Sequence, residues 1–198
     1  MNTGDVIIQL MQEQGVVRPR DLRDRGIPVA SLYWLHKQGR VLRTGRGLYT
    51  LPDADFSEHH SLAMACKRVP HGAVCLLSAL AFHQLGSQLP FEVWMAIDRK
   101  ARLPKVSYPA LRIVRFSAQA LAEGIEVHQV EGIAVPVYSP AKTVADCFKY
   151  RHKIGLDVAL EALREYRRSQ RGTERDLWRY AGVCRVAQVM KPYLEATA

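Results

Sequence analysis

No apolar run in the 198-residue chain approaches the roughly 20 residues that a bilayer-crossing helix needs, so a helical membrane protein is not expected. Asp5 comes early among residues that alternate polar and apolar, and no small-residue cleavage site follows, so neither is a secretory signal; a cytoplasmic protein is expected. Cysteine is scarce: Cys66, Cys75, Cys147 and Cys184 are irregularly spaced, with no Cys-x-x-Cys pair, which argues against zinc ribbons and disulfide scaffolds and for reduced thiols. His60, Cys66, His71 and Cys75 do not follow a finger pattern, so no metal is expected. A glycine-rich phosphate loop and a Gly-x-Ser-x-Gly elbow are both missing, which removes nucleotide hydrolysis and deprives Ser78 and His83 of the setting a nucleophile and base would need. No cofactor is expected, and there is no internal repeat or low-complexity stretch.

What the chain does have is positive charge at its ends and enough apolar content, 48%, for a real core. The net charge is +9, with 8 Lys/Arg against 4 Asp/Glu in residues 1–52, 8 against 8 in 53–141 and 12 against 7 in 142–198. Two basic ends around a neutral middle suit a polyanionic partner. Ordinary solubilising charge on helix surfaces explains the C-terminal excess equally well.

The stretch Val16–Leu51 organises the N-terminal end. Val6, Ile7, Leu10 and Met11 form the buried stripe of an opening helix capped by Thr3 and ended by Gly15. A short piece around Leu22 is stopped by Gly26 and Pro28. A second helix starts near Val29, with Val29, Leu32, Leu35 and His36 on one side and Ala30, Tyr33, Trp34 and Lys37 on the other or its flank, and Gly39 ends it. Val41–Arg43 and Leu48–Leu51 are strand-like and joined by the glycine turn Thr44–Gly47. This is the order of a winged helix-turn-helix, whose second helix enters the DNA major groove. The predicted contacts to double-stranded DNA are Arg20, Ser31, Tyr33, Trp34, Lys37, Arg43 and, at the wing tip, Arg46.

Pro52–Ser57 reads as an acidic linker between a domain of residues 1–52 and one of residues 58–198. The latter is expected to be α+β. A helix over Glu58–Arg68 and a buried helix over Ala73–Gly86 precede roughly four strands, at Phe91–Asp98, Leu111–Phe116, Ile125–Val130 and Ile133–Tyr138. Ser139-Pro140 caps a helix with Ala141, Val144, Ala145 and Phe148 inward. Another runs from Leu156 to Arg168 with Leu156, Ala159, Leu160 and Leu163 inward, Thr173-x-x-Asp176 opens a third, and a short helix is expected over Val186–Leu194, before Pro192. Lys142, Lys149 and Lys153 share a flank of the Ser139 helix, and Arg99, Lys100 and Arg102 lie in a basic loop; these six are a candidate nucleic-acid or antitoxin surface, or simply a polar face. Asp98-x-Lys100 at a strand end suggests half of a metal-dependent nuclease site, but Glu58 and Glu92 supply no convincing second carboxylate.

With these segments in view, the runs RPRDLRDRGIPVASLYWLHKQGRVLRTGRGLYTLP, CLLSALAFHQLG and VYSPAKTVADCFKYR resemble the AbiEi antitoxin family of type IV toxin–antitoxin (abortive infection) systems, over roughly Thr3–Arg168. The resemblance implies a non-enzymatic phage-defence protein: a repressor whose N-terminal winged domain binds repeats in its own promoter, alone or as a homodimer on DNA, and whose C-terminal domain counteracts a nucleotidyltransferase-like toxin without a required stable complex. The chain departs from the family at Trp34, where relatives often carry a basic side chain. The alternatives are a nuclease built on Asp98 and Lys100, or a solitary winged-helix regulator.

Overall fold

The computed structural model describes residues 2–45, 47–52, 57–106 and 108–196. Arg46 and most of the expected linker, residues 53–56, lie outside the described residues.

The chain opens with α1 (Thr3–Gln14), α2 (Pro19–Arg23) and α3 (Val29–Lys37), followed by β1 (Leu42–Gly45) and β2 (Leu48–Thr50), which pair antiparallel. Asn2 rather than Thr3 caps α1, its Oδ1 accepting from Gly4 N at 3.4 Å. Gly15 ends this helix at φ +62°. Ile7, Met11, Leu22, Leu32, Leu35 and Val41 are all but completely buried in a common cluster. Each such side chain contributes about 1.5–3 kcal/mol when removed from water, which allows helices as short as α2 to persist. The hairpin is tied to this cluster from both sides. Val17 and Tyr49 exchange backbone hydrogen bonds of 2.9 and 3.0 Å, and Thr50 Oγ1 donates to Gly15 O at 3.0 Å.

The remaining elements are α4 (His60–Arg68), β3 (Ala73–Val74), α5 (Leu76–His83), β4 (Val93–Asp98), β5 (Leu111–Phe116), α6 (Ala118–Ala122), β6 (Ile125–Val130), β7 (Ile133–Tyr138), α7 (Pro140–Lys149), α8 (Arg151–Ile154), α9 (Leu156–Ser169), α10 (Glu174–Val183) and α11 (Ala187–Ala196). The sheet has five strands in the order β5-β4-β3-β7-β6. The expectation of roughly four missed β3, because a two-residue strand leaves no periodic trace in an apolar run. That strand is central, antiparallel to β4 (Ala73↔Ala96) and parallel to β7 (Val74↔Val137). It bends straight into α5 through Leu76, held at φ +46°. Cys75, expected inside the helix, is its N-cap.

The two faces of the sheet are covered differently. Ala73, Ala96, Val114, Phe116 and Tyr138 face a core shared with α5, α7, α9, α10 and α11. Val74, Met95, Ile97, Val135 and Val137 face a second cluster with α4, which Val16 and Leu48 of the N-terminal unit also enter. Polar contacts fasten the same junction. Asp21 of α2 accepts from Lys67 Nζ and Arg18 Nη2, both at 2.9 Å, and Lys67 Nζ also donates to Val16 O at 2.7 Å. Glu131 receives Ser57 N at 2.8 Å and lies 2.7 Å from His60 Nδ1. Gly132 beside it sits at φ +70°, where a Cβ would fall 1.9 Å from Glu13 O, so the β6–β7 turn can approach the end of α1 only without a side chain.

Both predicted C-terminal caps are present. Ser139 Oγ accepts from Lys142 N at 3.4 Å, and Thr173 and Asp176 form a reciprocal box. The inward face of α9 is rotated from the one expected: Val158, Ala159, Ala162, Leu163 and Tyr166 are buried, while Leu156 is at the surface. Pro192 lies inside α11 rather than beyond it.

Candidate nucleic-acid interface

On α3 the inward pair Leu32 and Leu35 leaves Tyr33, Trp34 and Lys37 within an arc of about 100° on the opposite side. Tyr33 and Trp34 are 52% and 53% exposed, so neither the C-terminal part of the chain nor the hairpin covers them. Ser31, near the start of the helix, is half-buried. Tyr49 of β2 sets the angle between helix and hairpin. Its ring meets Tyr33 edge-on at 6.2 Å and His36 at 5.6 Å. His36, placed inward by periodicity, is exposed but turned back, with Nδ1 3.0 Å from Val41 O.

Around this helix stand exposed cations. Arg20 on α2 is only loosely engaged by Asp24 at 3.8 Å. Arg43 on β1 is exposed, its Nε donating to Gly45 O at 3.3 Å. Arg23, Arg25 and Arg40 are exposed as well. Of these, Arg25 steadies α2 by donating to Asp21 O at 3.1 Å. Arg68, at the end of α4, reaches beneath the hairpin beside Gly45, and burial together with Arg43 lowers its pKa from the usual value. Sequence reasoning did not include it, because only the tertiary packing brings the α4 terminus to the hairpin. Arg20, Tyr33, Trp34, Lys37 and Arg43 thus offer aromatic and cationic groups without strong internal partners, the chemistry that reads base edges and neutralises phosphates.

The second group of predicted residues divides. Lys142 is not a surface residue. It is 0% exposed, its Nζ donating to Asp146 Oδ2 at 2.6 Å and lying 4.2 Å from the centre of the Tyr138 ring and 4.9 Å from that of Phe116. Asp146 in turn accepts from Cys184 Sγ at 3.1 Å. Burial holds Asp146 above the ordinary carboxylate range even though Lys142 and the thiol oppose this. The reason for the misplacement is that the end of α10, at Cys184, and the Phe116 and Tyr138 rings of the sheet close over this part of α7. Lys149 and Lys153 are exposed, Lys153 lying over Tyr150 at 5.7 Å. Arg99, Lys100 and Arg102 are also exposed. Arg99 and Lys149 meet at a cavity that Arg115 and Arg185 complete; Lys100 and Arg102 are not among its walls.

The carboxylate of Asp98 closes its own turn, accepting from Lys100 N at 2.7 Å. Glu92 is taken by Arg112 at 2.9 Å. Ser78 and His83 are occupied separately. Ser78 Oγ accepts from Trp94 N at 2.9 Å, rather than bonding within its own helix, and His83 Nε2 lies 2.7 Å from Tyr138 O. All four cysteines are buried and free. Among the described residues, no group of three His, Cys, Asp or Glu side chains is arranged to hold a metal ion, and no helix is long and apolar enough to cross a membrane.

Three helices closed by an antiparallel hairpin, with an aromatic and basic outer helix, have the element order of a winged helix-turn-helix. Residues 5–52 match the family model described as transcriptional regulator, AbiEi antitoxin. The fold as a whole is similar to the crystal structure of the RV2827C protein from Mycobacterium tuberculosis, with a TM-score of 0.51 and 13% identity over 93% of this chain and 77% of that one. A search of curated proteins found no match.

Proposed function

We propose that this protein is a DNA-binding repressor of its own operon and the antitoxin of a type IV system, residues 1–52 reading double-stranded promoter repeats and residues 58–198 counteracting a nucleotidyltransferase-like toxin in the cytoplasm without a required stable complex. The observation that carries the DNA-reading half is the outward face of α3, where Tyr33, Trp34 and Lys37 stand exposed beside Arg20 and Arg43 while Leu32 and Leu35 anchor the helix from behind. An apolar-backed helix with a free aromatic and cationic face is what a major groove accepts. Trp34 fits this reading as a stacking or apolar contact, for instance to a thymine methyl. The match of residues 5–52 to a family of antitoxin regulators supports the regulatory role and the antitoxin role together.

The test is a fluorescence-anisotropy titration of the full chain with its own promoter DNA and with a scrambled duplex, at several salt concentrations. The promoter should bind at least about 100-fold more tightly, with affinity falling steeply as salt rises. Equal affinity for the scrambled duplex would remove the operator reading. Co-expression with the gene immediately downstream tests the antitoxin half: growth arrest by that gene alone, relieved by this chain, is the expected outcome.

A further inference from the structure

Between β5, α7 and the end of α10 lies a cavity of about 180 Å³ whose walls carry Arg99, Arg115, Lys149 and Arg185. Among the described residues, none of these four cations has a carboxylate within ion-pair distance. The one carboxylate in the wall, Asp146, is engaged from behind by Lys142 and by the Cys184 thiol. The cavity therefore presents uncompensated positive charge.

Its walls are held in place. Arg115 Nη1 donates to the carbonyls of Asp98 at 3.3 Å and Ala101 at 2.9 Å, and to that of Arg99, so the loop bearing Arg99 is fastened to β5. Tyr150 Oη donates to Arg115 O at 3.1 Å, and the Tyr150 ring stacks on Phe116 at 5.5 Å. Arg185 is fixed by its own backbone. It follows α10 in a Schellman turn, with Val186 N bonded to Ala181 O at 2.8 Å and Arg185 N to Gly182 O at 3.0 Å. The turn requires the left-handed backbone, and Arg185 adopts φ +56° where glycine is the usual occupant. Arg185 is one of the residues that line the cavity.

We propose that this cavity binds the phosphate of a small phosphomonoester. Several cations around one space match a dianion, and guanidinium groups match the geometry of phosphate oxygens. The cavity is smaller than the roughly 300–1,000 Å³ that encloses a whole small ligand, so the phosphate enters and the rest of the ligand lies at the mouth. The proposal does not depend on DNA reading by α3, which is remote from this site in sequence and lies in the separate N-terminal cluster.

Isothermal titration of the full chain at low ionic strength provides the test, with ribose 5-phosphate and AMP as ligands and adenosine and sulfate as controls. Both phosphomonoesters should bind with a sub-millimolar Kd, and adenosine and sulfate much more weakly. Arg185→Gly should weaken this binding by about tenfold or more while leaving the melting temperature unchanged or higher, and Lys149→Ala should weaken it similarly. Promoter affinity should not change in Arg185→Gly. A 5′-phosphorylated oligonucleotide that binds at this site better than its 5′-hydroxyl form, with the gain lost in Arg185→Gly, would identify a strand end as the source of the phosphate; no such gain would identify a free metabolite. Sulfate binding as strong as that of the phosphomonoesters, absence of sub-millimolar binding, or full binding by Arg185→Gly would each overturn the proposal.

Discussion

Lys37 and Lys142 stand in similar places in the sequence, each on the polar flank of a helix of about ten residues whose other side carries an apolar stripe. On α3 that flank stays largely exposed among the described residues, and Lys37 remains in solvent next to Tyr33 and Trp34. On α7 the sheet and the end of α10 cover it, and Lys142 becomes one of the largest fully buried side chains, neutralised by Asp146 and resting against the Tyr138 and Phe116 rings. A polar flank on an amphipathic helix therefore identifies a surface only if the rest of the chain leaves it uncovered. When it is covered, the same residue type needs a counter-charge and an aromatic lining, because an unpaired buried ammonium costs several kcal/mol.

The largest expected effect tests the buried side of this comparison. Lys142→Ala leaves the Asp146 carboxyl without its main partner and should destabilise the fold by about 3–5 kcal/mol, measured by urea denaturation. The double change Lys142→Met, Asp146→Leu should recover most of that loss; if it is as unstable as the single variant, the pair is not acting through charge. A smaller effect concerns the junction between α2 and α4. Burial pushes the Asp21 pKa up, but hydrogen bonds from Arg18 and Lys67 prevail and hold it at about 2, below its ordinary 3.8. The stability this carboxylate contributes is thus fully present above about pH 4 and is lost as pH falls through about 2. The difference in stability between the native chain and Asp21→Asn should be about 1–2 kcal/mol at pH 6 and should shrink progressively below pH 4. A difference independent of pH would show that charge at Asp21 does not fasten the junction.

The smallest effect on stability belongs to the exposed side. Trp34→Ala and Lys37→Ala should each change folding free energy by no more than about 0.5 kcal/mol. Trp34→Ala should nevertheless weaken promoter binding by about tenfold, and Lys37→Ala should reduce the salt slope by about one. A loss of stability matching that of Lys142→Ala would mean that this face is structural.

Local signals were legible wherever a short-range interaction decides the outcome. Ser139 with Pro140, and Thr173 with Asp176, start their helices as expected because a cap is made among residues three apart. The period of Leu32 and Leu35 correctly turned Tyr33, Trp34 and Lys37 outward. The Asn2 cap shifted by only one residue from Thr3, as both side chains carry an oxygen that can accept from the first helical N–H groups. Less legible was β3, since its two residues are held by β4 and β7, which are separated from it by many residues in the chain. Arg115 and Arg185 carried no signal as partners of Arg99 and Lys149, because a strand end, a loop, a helix and a helix terminus come together only when the sheet and the C-terminal helices pack.

By itself, then, the amino-acid order determined the succession of the longer elements, the caps of two C-terminal helices, most of the apolar stripes and the aromatic and basic outer face of α3. These depend on backbone preferences and on periodicity within about one or two turns. Tertiary structure alone decided which polar flanks were covered, and so turned Lys142 into a buried ion-pair partner while leaving Lys37 free. It also drew Arg99, Arg115, Lys149 and Arg185 around one cavity. Burial and charge proximity are properties of segments that meet across the fold, and no local pattern encodes which segments those are.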